Sequence, residues 1–533
     1  MTKIIDTTKD YLRASVRDIE LFFAKNGKVL VWLAALLLVP YGFELFNLNL
    51  TIDDESWATG PGAYVWLLEG RWMQFLLTKL LFPFVVVPVV PFVVAIASTT
   101  IATVSILRNF RVVENWQLIV LSFLVVSFPS LTHTLGFDSL KFGIGIGYLI
   151  LALALSLFKR KGRSLLTSGV LIGLAISIYQ SMAMAAVTIL LIYLMVEAVN
   201  RKSDNKAVFR QISLVFVVMA IAIMVHIVGK KLLGIILGTP TNMYLQQFIK
   251  FQGFLNDPAT FALDALRNAS KGYGFLGSLH MGYLWGFRIL ITLSSLVVLL
   301  KILRQPARWL LLAMGIAAFL LVPFGLTLLY GGLGLPWRTH IELPYAWTGL
   351  VMMGVLFSRD YSSRFIYYSL WSLAIWSGLS FSTTVARMSG SAHLTLQSDR
   401  LFASQLLLKI NKLRNDHPEI KYLAMLGQHV HDSSTELKPK SWEGNGLSFF
   451  EIDGGIPLRG IYFMRTIERM DLEPAPLDTL VRISNLQGPT LYWPSEGSVF
   501  IFENTIVARL GPYTQERLSE LCPNGSKLPA CPK

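Results

Sequence analysis

Long apolar stretches separated by short polar segments make up most of the chain. Each stretch is close to the roughly 20 residues that an α-helix needs to cross a hydrocarbon core about 30 Å thick. The stretches begin near Val29, Phe84, Trp116, Phe142, Leu165, Met182, Ile212, Leu284, Trp309, Tyr345 and Phe365. The pattern therefore predicts an all-α polytopic membrane protein with about 11 transmembrane helices.

The positions of the basic residues predict the orientation of these helices. Lys and Arg are concentrated in loops of one parity, as between Lys159 and Arg163 and between Arg201 and Arg210. Such residues favour the cytoplasmic side. The short fifth and sixth stretches must then form a hairpin, the N-terminus is cytoplasmic, and the C-terminus lies outside. Residues 1–28 are predicted to be a cytoplasmic segment and residues 29–383 the transmembrane domain.

The hydropathy falls after about residue 384. An amphipathic helix is expected from about Asp399 to Leu413, and the runs at 490–493 and 498–502 predict a β-hairpin. Residues 384–533 are therefore predicted to be a small periplasmic α/β domain. Cys522 and Cys531 lie in this part and are a candidate disulfide for an oxidising compartment, the alternative being two unpaired thiols.

Composition narrows the class of protein. Of the 533 residues, 53% are hydrophobic and only 15% are charged, so the bilayer is the expected solvent. The net charge of +14 does not predict a nucleic-acid partner, because Lys and Arg sit in short runs between apolar stretches. There is no P-loop or dinucleotide fingerprint in the sequence, which predicts that an activated donor arrives through the membrane.

Three adjacent carboxylates follow the first apolar stretch. Asp53, Asp54 and Glu55 would lie at the height of the lipid head groups, where clustered like charge is costly. One of them is a candidate general base for an acceptor hydroxyl, and the three together are the candidate ligands of a divalent metal. The alternative is a solvated loop at the membrane boundary.

An apolar, aromatic stripe between Tyr64 and Leu80 predicts a helix along the outer membrane surface. It contains Arg71, a candidate ligand of a carboxylate or a lipid phosphate, or a side chain that simply extends to the interface. Asp138 and Lys141 place an acid and a cation at the outer boundary, with Asp138 alternatively a helix cap.

Two further loops of the outer parity carry donor groups. Tyr179 and Gln180 form the polar hinge of the short hairpin, where they can bind sugar hydroxyls or hold helices together. Arg338 and His340 lie in a compact loop that ends at Pro344. Arg338 is the preferred phosphate ligand, because its cation would neutralise charge on a departing polyprenyl phosphate.

Taken in order along the chain, these motifs resemble a known family. The Asp53-Asp54 pair, Gly70-Arg71-Trp72, Tyr179-Gln180, and Pro336 with Arg338 are similar to the phage-type serotype-converting O-antigen glucosyltransferases, membrane enzymes of the GT-C class. The resemblance covers roughly the first 400 residues. One departure is that Glu55 and Ser56 separate the acid pair from Trp57, whereas an aromatic residue is expected nearer the acids.

The resemblance implies an inverting transfer of glucose from undecaprenyl-phosphate glucose to a sugar of lipid-linked O-antigen, at the periplasmic face of a bacterial inner membrane. Asp53 or Asp54 would be the base, and the cations would hold the phosphate. No cofactor is required, although the acid cluster permits Mg²⁺ or Mn²⁺. The implied functional partners are a donor synthase and a flippase.

Two other functions remain open from the sequence. A transporter or flippase of a lipid-linked sugar would keep polar groups near the bilayer midplane and show two related halves, whereas the charges here gather at the outer boundary. An O-antigen polymerase or ligase would share the substrate chemistry and differ mainly in the acceptor.

Overall fold

The structure is a computed structural model that describes residues 2–47, 50–51, 54–55, 63–81, 89–137, 140–160, 162–238, 257–272, 285–329, 337–360, 364–429, 447–451, 458–484 and 491–512. The described helices are α1 (Thr2–Phe46), α2 (Tyr64–Leu68), α3 (Trp72–Leu81), α4 (Val90–Asn109), α5 (Asn115–Val126), α6 (Pro129–Leu135), α7 (Lys141–Arg160), α8 (Ser164–Ile178), α9 (Met182–Arg201), α10 (Asn205–Leu237), α11 (Pro258–Gly272), α12 (Trp285–Leu303), α13 (Arg308–Ile316), α14 (Gly325–Leu329), α15 (Leu343–Ser358), α16 (Arg364–Asp416), α17 (Leu458–Glu468) and α18 (Leu477–Ser484). A π-helical turn, Ala317–Leu321, continues α13, and Trp337–Thr339 is a 3₁₀ turn.

The described part of the chain contains six helices that are long and apolar enough to cross a membrane. They are residues Glu20–Phe46 of α1, together with α4, α7, α9, α10 and α12. Helices α5 and α6 are bent by 57° at their junction and would add a seventh span if they count as one. The chain is therefore a helical membrane protein, as the apolar pattern predicts.

The predicted count of 11 transmembrane helices is not confirmed. A helix begins within seven residues of every predicted start except Val29, which lies inside α1, but α8 and α15 have only 15 and 16 residues. Such lengths are below the usual limit for crossing the hydrocarbon core alone. Pro129 at the start of α6 separates it from α5, because proline cannot donate the hydrogen bond that would continue the helix.

Close helix packing holds α4 against α7. A Cβ atom added at Gly145 would lie 2.5 Å from the carbonyl oxygen of Ala95. The two backbones therefore touch, as is common where small residues lie between membrane helices. This contact fixes the start of α7, and with it the position of Lys141.

The predicted surface stripe forms two short helices, α2 and α3, with a break at Gly70. Trp66, Leu67 and Phe75 are buried against the rest of the protein, whereas Leu80 is 78% exposed. Helix α3 packs on α8 and α10. Most of the stripe thus joins the helix bundle and only its end is open to the surroundings.

Helix α16 runs without interruption from Arg364 to Asp416. The predicted domain boundary at residue 384 therefore lies inside a helix, and the predicted helix at 399–413 is its last part. Phe402, Leu406 and Ile410 pack onto a four-stranded sheet, so one helix links the membrane bundle to the C-terminal layer.

The sheet contains β1 (Tyr422–Leu426), β2 (Glu473–Pro474), β3 (Val499–Phe502) and β4 (Thr505–Arg509), in the order β2-β1-β4-β3. Strand β1 is parallel to β2 and β4, and β3 is antiparallel to β4. Helices α16 and α17 cover one face, and α18 covers the other. We call this assembly the C-terminal layer.

The predicted hairpin is wrong in its pairing. Val499–Phe502 is a strand, but its partner is Thr505–Arg509 and not the run at 490–493. Phe502 pairs with Thr505, so the turn consists of Glu503 and Asn504, with Glu503 at φ +53°. The prediction placed the turn at the Pro-Ser-Glu-Gly segment because its residue types are stronger turn signals than Glu503 and Asn504.

The packing of α4 on α7 predicts different effects at two helical glycines. Replacing Gly145→Ala should lower thermal stability, because overpacking against a backbone atom costs about 1–3 kcal/mol. Gly27→Ala is the matched control, since nothing lies within 4 Å of a Cβ at that position. It should be neutral or stabilising by up to about 1 kcal/mol. Melting curves of the detergent-purified variants test this, and equal melting temperatures would contradict the packing.

Candidate active site

Three segments of the chain meet at the backbone of Arg338. Its carbonyl oxygen accepts a hydrogen bond from Thr134 Oγ1 at 3.1 Å and another from the Tyr179 hydroxyl at 3.3 Å. Thr134 lies in α6 and Tyr179 in the break between α8 and α9. The Tyr148 hydroxyl donates to the carbonyl of Ile341 in the same loop. The structure therefore brings together three of the segments chosen from the sequence.

Arg71 lies in a half-buried pocket beside this junction. Its guanidinium forms an ion pair with Glu69 at 2.9 Å and donates to Gln180 Oε1 at 3.1 Å. The same cation stacks on the rings of Trp66 and Tyr179, at 5.0 and 4.8 Å from their centres. Planar stacking and a forked donor are properties of arginine that lysine lacks.

Gln180 closes this pocket from the other side. Its Nε2 donates to the backbone carbonyl of Glu69 at 2.9 Å, while its oxygen accepts from Arg71. The amide thus bridges the turn after α2 and the start of α9. Tyr179 and Gln180 thus link separate elements of the structure, and their predicted contact with sugar hydroxyls stays a prediction.

The residues around Arg71 explain the Gly-Arg-Trp motif. Gly70 has φ +80°, a conformation that other residues rarely adopt, and the side chain of Lys230 packs over it. The indole of Trp72 donates to the carbonyl of His226 at 3.2 Å and lies against Gly229. Gly70 makes the turn, Trp72 anchors it to α10, and Arg71 is left pointing into the pocket.

Asp54 is buried and held in a tight turn. Its Oδ2 accepts hydrogen bonds from the backbone nitrogen and the hydroxyl of Thr51, at 3.2 and 2.9 Å. The Thr51 hydroxyl oxygen also lies 2.9 Å from the carbonyl oxygen of Gly136, so its single proton is shared between this carbonyl and Asp54. This side chain therefore connects the acid loop to the end of α6. Asp53 lies outside the described residues.

The side chain of Glu55 bonds to a different part of the protein from that of Asp54. Its carboxylate is fully buried and forms a 2.9 Å ion pair with Arg459 of α17, which is 24% exposed. The hydroxyl of Thr466, also in α17, approaches the Glu55 carbonyl at 3.4 Å. Glu55 thus ties the acid loop to the C-terminal layer.

Among the described residues, the side chain of Arg338 differs from that of Arg71 in having no acidic partner. Its guanidinium stacks over the ring of Phe137 at 5.0 Å, and no hydrogen bond or ion pair joins it to another residue in the described ranges. Lys141 lies at the other end of the same turn and is only 4% exposed, with its ammonium 5.1 Å from the centre of the Phe92 ring. Two cations therefore flank the segment between α6 and α7.

His340 is part of the support of the Arg338 loop. Its Nδ1 lies 3.0 Å from the carbonyl oxygen of Pro323, which can only accept, so this nitrogen carries the proton. Glu342 lies 3.3 Å from the same nitrogen, and burial raises the pKa of its carboxyl. His340 is 4% exposed. Its predicted contact with substrate stays a prediction.

Several predicted groups fall outside the described residues: Asp53, Asp138, Pro336, Cys522 and Cys531. Within the described part, no three His, Cys, Asp or Glu side chains are grouped so as to hold a metal ion. Asp54 and Glu55 bond to different elements, which does not favour them as a joint ligand pair. The prediction of a possible Mg²⁺ or Mn²⁺ site stays untested.

Sequence reasoning missed the groups that fix the candidate residues in place. Thr51 stands three positions before Asp54, a spacing typical of a side chain that bonds a nearby backbone, and was identifiable. Glu69 lies two positions before Arg71 in the sequence, so this ion pair was also identifiable. Arg459, 404 positions from Glu55, leaves no local signal.

Comparison with known proteins adds one match. Residues 42–355 match the family described as Glucosyl transferase GtrII. The matched region is more than half of the 533-residue chain and contains α2 to α14, the Arg338 loop and most of α15. No curated protein and no solved structure matches the chain.

The buried ion pair of Glu55 predicts a measurable loss of stability. Arg459→Ala should lower the free energy of unfolding by about 2–4 kcal/mol, because it leaves the buried Glu55 carboxylate without its cation. Adding Glu55→Gln should recover part of this loss. The control is Arg414→Ala, which breaks the exposed pair with Asp471 and should cost less than about 1 kcal/mol. Similar losses in both single variants, measured by thermal melting, would contradict the assignment.

Proposed function

Because the chain belongs to the Glucosyl transferase GtrII family, we propose that it transfers glucose from undecaprenyl-phosphate glucose to a sugar of lipid-linked O-antigen. The reaction would take place at the periplasmic face of the bacterial inner membrane. The observation that carries this proposal is the attachment of the acid loop and of Arg338, a cation with no acidic partner among the described residues, to the same short segment at the end of α6. A base and a phosphate ligand are the two groups that such a transfer needs.

The attachment points are two residues apart. The acid loop bonds the carbonyl of Gly136 through Thr51, and the Arg338 loop bonds the side chain of Thr134. The ring of Phe137, next in the chain, supports the guanidinium of Arg338. A carboxylate and a cation held by one turn can act on the two ends of a single reacting centre.

The proposed reaction is an inverting displacement. A carboxylate of the acid loop removes the proton from the acceptor hydroxyl as its oxygen attacks the anomeric carbon of glucose. The bond from that carbon to the phosphate oxygen breaks, and its electron pair leaves with the polyprenyl phosphate. Arg338 stabilises the negative charge that develops on the phosphate, and Lys141 stands on the opposite side of the same turn.

The base is Asp53 or Asp54. Glu55 is unsuited to this role because its carboxylate is fully buried and paired with Arg459. Asp54 accepts two hydrogen bonds from Thr51 at one oxygen, which holds it in a fixed orientation. A general base must be held within hydrogen-bond reach of the proton it removes, and this loop provides such support.

Arg71 has a supporting role in the proposed reaction. Its charge is balanced by Glu69, and its stacking on Tyr179 holds the hydroxyl that bonds Arg338. Arg71 thus positions the Arg338 loop, and direct binding of phosphate is assigned to Arg338. Asp138 remains a proposed substrate contact on the basis of its place beside Lys141 in the sequence.

The proposed donor requires two further proteins, a synthase that makes undecaprenyl-phosphate glucose and a flippase that turns it outward. The C-terminal layer is proposed to be a periplasmic α/β domain that meets the acceptor. Membership of a glucosyl transferase family favours transfer over the alternative of a lipid-linked sugar transporter. No cofactor is needed for the displacement as written.

Replacing the base predicts a large loss of transfer. Of the variants Asp53→Asn and Asp54→Asn, one should lower kcat/KM by about 100-fold or more without unfolding the protein, because an amide cannot accept the acceptor proton. Glu114→Gln, an exposed acid outside the candidate site, is the control and should keep full activity. Transfer of labelled glucose from synthetic undecaprenyl-phosphate glucose measures this. Full activity in both Asp variants would refute a carboxylate base in this loop.

Replacing the phosphate ligand predicts loss of activity with little loss of stability. Arg338→Ala should lower kcat/KM by about 100-fold, because the departing phosphate loses its cation. Its melting temperature should stay near that of the wild type, since the guanidinium forms no ion pair within the described part of the chain. Arg288→Ala removes a similar cation from an aromatic ring, that of Trp285 at 4.9 Å, and should keep full activity. An active Arg338→Ala enzyme would exclude this role.

A further inference from the structure

An apolar groove of about 440 Å³ runs between α1 and α4. On α1 its walls recur at helical spacing, as at Leu30, Ala34 and Leu37, and Ala97 belongs to the facing wall on α4. Ala34 and Ala97 are both exposed. Their small side chains leave room that larger residues would fill. The groove has no part in the catalytic steps described above.

The α1 wall of the groove is about as long as the hydrocarbon core of a bilayer is thick. Its lining extends along α1 from Phe23 to Leu45, which is about 33 Å at 1.5 Å per residue. The hydrocarbon core of a bilayer is about 30 Å thick. Both helices are among the six that can cross a membrane. The facing wall on α4 extends from Phe92 to Ile101, about 14 Å, so one wall of the groove has the full depth of the hydrocarbon layer and the other has about half of it.

The outer end of the groove adjoins the candidate active site. Tyr41 and Phe92 line both the groove and a small crevice whose other walls include Thr51 and Gly136. Those two residues connect the acid loop to α6. The ammonium of Lys141 lies 5.1 Å above the ring of Phe92. An apolar chain in the groove would thus end beside a cation and an acid.

We propose that this groove binds the polyprenyl chain of the glucosyl donor. This inference rests on the proposed function and adds a binding site to it. The cation at the outer end complements the phosphate that joins the polyprenyl chain to its sugar. The apolar walls complement the hydrocarbon chain, and about 440 Å³ is within the range of specific ligand pockets.

The donor fits this position better than the acceptor does. In the donor a single phosphate separates the lipid chain from the reacting anomeric carbon, so the chain must end within one sugar of the base. In a lipid-linked glycan acceptor, further sugars can separate the reacting hydroxyl from its lipid. A groove that ends at the crevice lined by Thr51 and Gly136 brings the end of its lipid next to the acid loop, as the short donor head group requires.

A binding measurement tests the groove without requiring catalysis. The full-length protein in phosphatidylethanolamine liposomes is labelled with undecaprenyl phosphate carrying a diazirine in its chain, and the labelled peptides are mapped. We expect labelling in residues 20–46 and 90–109. Excess undecaprenyl phosphate should reduce it at least 5-fold, and equal added phosphatidylglycerol should not. Labelling elsewhere, or equal competition by phosphatidylglycerol, would overturn the proposal.

Filling the groove gives a matched pair of variants. Ala34→Trp should lower the labelling at least 5-fold, because the indole occupies the groove. Ala35→Trp is the control, as the next residue is equally exposed but does not line the groove, and its labelling should equal that of the wild type. Unchanged labelling in a folded Ala34→Trp protein, or equal losses in the two variants, would contradict the proposal.

Kinetics distinguish the donor from the acceptor. In Ala34→Trp, KM for undecaprenyl-phosphate glucose should rise about 10-fold, while KM for a donor with a ten-carbon chain and KM for the acceptor stay unchanged. A rise in KM for the acceptor alone would overturn the assignment to the donor.

Groove labelling by a wild type that cannot transfer glucose would refute the proposed function and keep the lipid site. Transfer without groove labelling would refute the lipid site and keep the proposed function.

Discussion

The backbone carbonyl of Arg338 accepts hydrogen bonds from Thr134 and Tyr179, and the arrangement of the outer loops depends on this junction. Each bond contributes about 1 kcal/mol, but together they join parts of the chain that are 204 and 159 residues apart. Removing either donor would leave this partly buried carbonyl with one hydrogen bond fewer. The position of the Arg338 guanidinium above Phe137 therefore follows from contacts made by its own main chain.

The second constraint is the balance of charge around this junction. Arg71 is paired with Glu69, and Glu55 is paired with Arg459, so these four side chains hold elements together. Arg338 has no such partner in the part of the chain that the structure describes. Its charge is therefore available to a phosphate. The pairing of Glu55 also makes the acid loop depend on the C-terminal layer.

The sequence predicted the membrane class and most of the helix starts because both follow from long apolar runs, but α1 begins at Thr2, well before its apolar part. Helix lengths were less accessible: α8 and α15 are too short to cross the hydrocarbon core alone, and α16 continues far beyond its apolar part. The segments of the candidate site were predicted from outward parity and polar composition. Their connections were not predictable, because Arg338 and Gly136 accept through backbone carbonyls, which every residue has.

Stoichiometry and stereochemistry in one reconstituted reaction test the central claim most directly. The purified wild-type protein would be given anomerically labelled undecaprenyl-phosphate glucose and lipid-linked O-antigen in liposomes. The account predicts one new glucosidic bond for each undecaprenyl phosphate released, with inverted anomeric configuration. Movement of the donor across the bilayer without any new glucosidic bond, or a product with retained configuration, would contradict it.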